Sequence, residues 1–149
     1  MPIQPAGAKG VAGTVEINPE YREGLSDLEG FSHVILIYHF HLSEGYSLRV
    51  KPFLDKKLRG VFSTRAPRRP NPIGLSVVRL IGVEDSTLHI ENVDIVDGTP
   101  LLDIKPYVSG LDGIEAERTG WLSGKTGRVH EAKADERFKD RDRTAGGGS

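Results

Sequence analysis

The chain has no cysteine. That excludes disulfides, thiolate metal ligands and a cysteine nucleophile, and it suits a reducing compartment. Aromatic residues are few, 7% of 149, with one tryptophan, Trp121. Charge of one sign is also lacking. The formal net charge is −1, so no whole-molecule field draws in a polyanion and any such binding must rest on a local patch. The longest apolar run, residues 34–38, is far too short to span a bilayer. The start of the chain lacks the basic-then-apolar pattern of a secretory signal. A cytoplasmic protein that makes no use of a membrane is therefore expected. No G-x-G-x-x-G follows a strand pattern, and neither a P-loop nor a Gly-x-Ser-x-Gly elbow occurs. Doubly wound nucleotide sites and serine hydrolase chemistry have no support.

What the sequence does hold is concentrated in two segments. The first is Arg65-Ala-Pro-Arg-Arg-Pro-Asn-Pro-Ile-Gly74, with three arginines and three prolines in ten residues. The prolines fix φ and remove three backbone donors, so this is a stiff loop and not a helix interior or a central strand. Arginines on a stiff loop suit a carboxylate, a phosphate or a flat ring. A solvent-exposed turn paired with nearby acids is the competing reading for Arg65, Arg68 and Arg69. The second segment, residues 94–107, carries three carboxylates, a Gly-Thr-Pro turn and a Lys-Pro-Tyr end.

Around these segments the pattern is that of a mainly β protein. Residues 1–13 read as a Pro- and Gly-rich loop, 13–17 as a short strand, and 19–30 as one or two helical turns ending at a glycine. Residues 31–42 are the strongest strand, apolar on both faces and hence central. Further strands are expected at 48–53, 75–83, 87–96 and 101–104, with a hairpin at 84–86. Closely spaced strands with few helical windows imply a small single-domain β-barrel with short helical segments over residues 1–127. An irregular, charged, flexible tail is expected over 128–149. Trp121 is expected to clamp its segment onto the barrel or onto a partner chain.

Two constellations invite metal chemistry. Asp94, Asp97 and Asp103 could share a cation, but Asp97-Gly98 also reads as an Asx-type turn. Asp94 in an apolar strand must be half-buried and paired or line a pocket, and Asp103 could pair with an arginine of the first loop. His33, His39 and His41 have the same parity on one strand, with His39 and His41 about 7 Å apart by strand rise. Packed or hydrogen-bonded imidazoles are the alternative. The expectation is no metal.

The stretches Phe31-Ser-His-Val34, Phe40-His41, Gly60-Val-Phe-Ser-Thr-Arg65, Arg69-Pro-Asn-Pro-Ile-Gly74, Asp94-Ile-Val-Asp-Gly-Thr-Pro100 and Asp103-Ile-Lys-Pro-Tyr107 resemble the TsaA-like family, also called TrmO, of tRNA methyltransferases. The resemblance covers residues 1 to about 108. It implies a β-barrel that binds S-adenosyl-L-methionine, a homodimer, and N6-methylation of the threonylcarbamoyl-adenosine at position 37 of a tRNA. A barrel that binds the cofactor without methylating RNA is the alternative. Carried over by position, the cofactor contacts would be Pro2, Ile3, Gln4, His41, Leu42, Arg65, Leu75, Glu91, Asn92, Val93 and Asp94. Arg68, Arg69 and Lys105 would meet the RNA or the substrate's carboxylate, and Tyr107 would hydrogen-bond to or stack on the target base. No general base is assigned. The family usually opens with a further strand ahead of the Pro-x-Gln element, at which this chain almost begins, so either the start is truncated or the barrel lacks an edge strand, which would leave an unpaired edge. Leu42 stands where relatives can carry a polar residue.

Overall fold

A computed structural model describes residues 2–6, 12–53, 55–91 and 94–123. The charged stretch 131–143 and the tail expected over 128–149 lie outside the described residues. Among the described residues eight strands follow in chain order: β1 (Pro2–Ala6), β2 (Ala12–Glu16), β3 (His33–His39), β4 (Arg49–Val50), β5 (Arg59–Gly60), β6 (Ile73–Glu84), β7 (Thr87–Glu91) and β8 (Thr99–Pro106). The chain divides into two compact units. The sheet unit is Met1–His39 with Ile73–Ile114, and the loop unit is Phe40–Pro72 with Glu115–Ser149.

In the sheet unit six antiparallel strands follow the order β1-β2-β7-β6-β3-β8, which returns to its start. β1 pairs with β2 on one side and with β8 on the other, through Pro2↔Pro100 and Ile3↔Thr99. The loop expected over residues 1–13 is thus partly a strand, paired on both flanks. Proline content argued for a loop, but pairing on both flanks is a tertiary stabilisation that local composition does not register.

Period-two alternation sets the core. On β3, Val34, Leu36 and Tyr38 are buried, while His33, Ile35, Ile37 and His39 are half-buried on the other face. Val15, Val78, Leu80, Leu88, Ile90 and Leu101 join the buried set. The Tyr38 hydroxyl is hydrogen-bonded to Ser76 Oγ at 2.8 Å, which satisfies a polar group among apolar neighbours. On β6 the richer apolar face, Ile73, Leu75, Val77 and Ile81, is exposed. Register decides this: Val78 lies opposite Val34, and Leu75 opposite Ile37. A one-residue slip would exchange the two faces. The expected strand at 87–96 ends at Glu91, and the expected helical turns at 19–30 are two 3-10 helices, Pro19–Leu25 and Leu28–Gly30.

In the loop unit β4 and β5 form a two-residue ladder, Arg49↔Gly60 and Val50↔Arg59; the strand expected over 48–53 is reduced to β4. Asp55 braces the hairpin. Its carboxylate forms an ion pair with Arg59 and accepts the backbone N–H of Lys56 at 2.8 Å and of Lys57 at 3.4 Å. Burial acts to raise the Asp55 carboxyl. The Arg59 hydrogen bond and the two backbone N–H groups outweigh it and hold the group below its ordinary 3.8.

Leu88, with no exposed surface, should cost about 2–5 kcal/mol as Leu88→Ala, read as a lower denaturation midpoint at unchanged slope. Leu111→Ala, at a site 75% exposed, should stay within about 0.5 kcal/mol of the parent. A depressed carboxyl contributes stability above its unfolded pKa and loses it as pH falls through the folded value. Hydrogen-exchange protection of the 49–60 amides should therefore fall as pH drops below 3.8. Asp55→Asn should show weaker protection at neutral pH and no such acid limb; an identical acid limb in the variant would contradict this assignment.

Candidate functional site

The loop unit begins where β3 ends. The Phe40 N–H donates to Pro72 O at 2.8 Å, and Ser43 N–H donates to Phe40 O at 3.0 Å. The chain turns there, so His41 and Leu42 stand in a turn outside β3. The expected strand over 31–42 stops at His39, and the shared strand face for His39 and His41 does not form. His41 is half-buried and Leu42 exposed.

The Arg/Pro segment is held by its own backbone. Val61–Ser63 form a 3-10 turn. The buried Thr64 hydroxyl donates to Val61 O at 2.8 Å and accepts from Ala66 N at 3.3 Å. Arg69 Nη1 donates to Thr64 O at 2.8 Å and Ala66 O at 3.1 Å, so this arginine is folded back on its own loop. Its guanidinium carbon lies 6.0 Å from the centre of the Phe62 ring, within cation–π range. Arg68 donates from Nε to Glu44 O at 3.2 Å, and Ser43 Oγ donates to Pro67 O at 3.2 Å. Arg65 and Arg68 are exposed, and Arg69 is half-buried. Trp121 clamps within the loop unit: its indole N–H donates to Ser63 O at 2.8 Å, and Arg59 lies 5.9 Å from its ring centre. The loop is thus pre-ordered, and little conformational entropy remains to be lost when a ligand arrives.

In the sheet unit the named residues sit on several strands. Pro2, Ile3 and Gln4 lie on β1. Leu75, 60% exposed, faces outward on β6 opposite Ile37. Across Ile37 on the other side is Asp103, and Ile35 likewise stands between Val77 and Lys105. Leu75 and Lys105 therefore share one outward face. Asp103 lies 3.5 Å from Lys105 Nζ. Glu91 lies opposite Arg79 on β6, 3.7 Å from its Nε. Asp94 is half-buried but follows β7 without belonging to a strand. Asn92 and Val93 lie outside the described residues. Tyr107 is edge-on to His33, ring centres 6.4 Å apart, and its N–H donates to His33 O at 3.1 Å. Asp97-Gly98 is a turn, with Gly98 at φ +82°. Among the described residues no three His, Asp or Glu side chains converge to hold a metal.

The 49–60 hairpin carries no sequence motif of its own. Arg49, Lys51, Lys56, Lys57 and Arg59 crowd this short ribbon, and the near-zero net charge conceals them. A local count of basic against acidic residues is the signal that would have found them.

Residues 1–113 match the family model described as the tRNA-methyltransferase O N-terminal domain. A probable S-adenosyl-L-methionine-binding protein of Pyrococcus abyssi is 54% identical over 138 residues, 93% of this chain and 75% of that protein. The mouse tRNA (adenine(37)-N6)-methyltransferase is 45% identical over 98 residues, which are 64% of this chain and 22% of that enzyme. A crystal structure of TrmO from Pseudomonas aeruginosa superposes with a TM-score of 0.62 at 34% identity, covering 90% of this chain and 66% of that one. A family model that takes in the whole ring of strands and the Arg/Pro loop, with relatives at this identity, places the chain in the tRNA-methyltransferase O family.

Proposed function

We propose that the chain is an S-adenosyl-L-methionine-dependent tRNA methyltransferase. Its substrate on this reading is N6 of threonylcarbamoyl-adenosine at position 37, and it works as a cytoplasmic homodimer. The observation that carries the reading is the pre-ordered Arg/Pro loop within the matched region, with the exposed Arg65 at its start. The chemistry of the side chains fits the cofactor. Arg65 suits the carboxylate of its methionine part. Asp94 suits the cationic sulfonium or the ammonium, and Leu42 and Leu75 offer apolar walls to adenine. Pro2, Ile3 and Gln4 on β1, His41 in the turn, Glu91 at the end of β7, and Asn92 and Val93 complete the proposed cofactor set.

The bound cofactor supplies the methyl group. The chain's part is to hold both reactants in line at about 3–3.5 Å, where positioning alone can lower the barrier substantially. Arg68, Lys105 and Tyr107 are proposed to meet the RNA. Arg69 gives two of its hydrogen bonds to Thr64 and Ala66, so its contribution to RNA contact would come from the rest of its fork. The exposed stripe Ile73, Leu75 and Val77 on β6 supports a second copy as the cover for that face.

Isothermal titration of S-adenosylmethionine should give saturable binding, weakened roughly tenfold or more in Arg65→Ala, as expected for loss of a charge-assisted pair. Labelled methyl should pass to tRNA that carries threonylcarbamoyl-adenosine at position 37 and not to tRNA that lacks it. Cofactor binding without transfer to either would leave the chain a binding module. Light scattering should report a dimer that Val77→Glu splits into monomers; an unchanged mass would place the dimer contact elsewhere.

A further inference from the structure

Within Phe40–Pro72 there are eight lysines and arginines against two acidic residues, leaving twelve against nineteen in the rest of the chain. One of the two acids, Asp55, is already engaged by Arg59. A chain with net charge −1 thus carries a concentrated positive segment. Lys51 directly follows β4, and Lys56 and Lys57 lie just before β5. All three lie in the connection between the two strands and are exposed. Among the described residues none of their ammonium groups enters an ion pair. Like charges gathered on one short connection repel one another, and the patch attracts a polyanion.

Flat surfaces accompany the charge. Phe62, two residues beyond β5, is 74% exposed, with the Arg69 guanidinium beside its ring. Tyr46, three residues before β4, is 57% exposed. An acidic peptide would use the ammonium groups but would have no need of exposed rings. RNA presents both phosphates and unstacked bases, and it uses both kinds of surface.

We propose that the β4–β5 hairpin, with the Phe62 ring beside it, is an RNA-docking surface separate from the residues assigned to the cofactor. Lys51, Lys56 and Lys57 grip the phosphate backbone of the substrate tRNA, and Phe62 stacks on an unpaired base. The proposal rests on the RNA-methylating reading above and adds the surface that holds the RNA.

The test is filter binding of a tRNA transcript to the full chain, from about 50 to 200 mM salt, for wild type, Lys51→Ala/Lys56→Ala/Lys57→Ala, the matching triple Lys→Arg variant, and Phe62→Ala. Each phosphate contact adds roughly 0.7–0.9 to the slope of log affinity against log salt. The triple alanine variant should therefore show a slope shallower by about 2 and an affinity reduced at least about tenfold at low salt. The triple arginine variant should retain wild-type affinity. Phe62→Ala should lose roughly fivefold or more with the slope unchanged, as for a lost base–aromatic stack. S-adenosylmethionine binding should be equal in all four. If wild type binds tRNA and the triple alanine variant matches it in affinity and slope, the docking surface is wrong while the enzymatic reading survives. If wild type binds the cofactor but no tRNA at low salt, the RNA-methylating reading fails and this proposal fails with it.

Discussion

The pairing of β1 with both of its neighbours is the constraint on which the sheet unit depends. An antiparallel sheet with an open edge exposes a row of unpaired N–H and C=O groups. Here a five-residue segment, Pro2–Ala6, fills the gap between β2 and β8. Among the described residues its contact with β8 runs through Pro2↔Pro100 and Ile3↔Thr99. Once the order closes, every strand has an inner and an outer face, and inner positions such as Val34, Leu36, Leu88 and Ile90 are removed from water together. Burial of this apolar surface is the main favourable term in such a domain.

The loop unit is stabilised by different means. Among its described residues the buried core side chains are Val61 and Ala66. Its order comes largely from polar contacts: Arg69 to two carbonyls, Thr64 at the 3-10 turn, Trp121 to Ser63 and Asp55 to Arg59. The prolines remove donors that would otherwise need partners and restrict the unfolded chain. A segment so held can present arginines in fixed positions without a large core beneath them, which is what a site that grips anionic groups requires. The same design gives the arginines different tasks. Arg69 carries the loop backbone, Arg59 the hairpin, and Arg65 and Arg68 are exposed.

Charge distribution in this protein is a matter of segments and not of totals. Net charge near zero concealed a stretch with eight basic and two acidic residues. On the proposed reading, lysines outside the proposed cofactor set would let affinity for RNA be tuned apart from cofactor chemistry.

The sequence by itself determined the class and the loop. Short alternating segments announced a mainly β protein, and the prolines of residues 67–72 excluded regular structure there, because proline acts on its own φ and N–H without help from distant residues. The Asp97-Gly98 turn was legible for the same local reason. Tertiary structure decided what local chemistry leaves open. It made a strand of Pro2–Ala6, ended β3 at His39 so that His41 entered a turn, turned Leu75 and Val77 outward, and folded Arg69 onto Thr64 and Ala66. Each of these depends on a partner far away in sequence. Strand pairing, face and hydrogen-bond acceptor are properties of register and packing, and the period of a strand states only that two faces exist, not which one meets water.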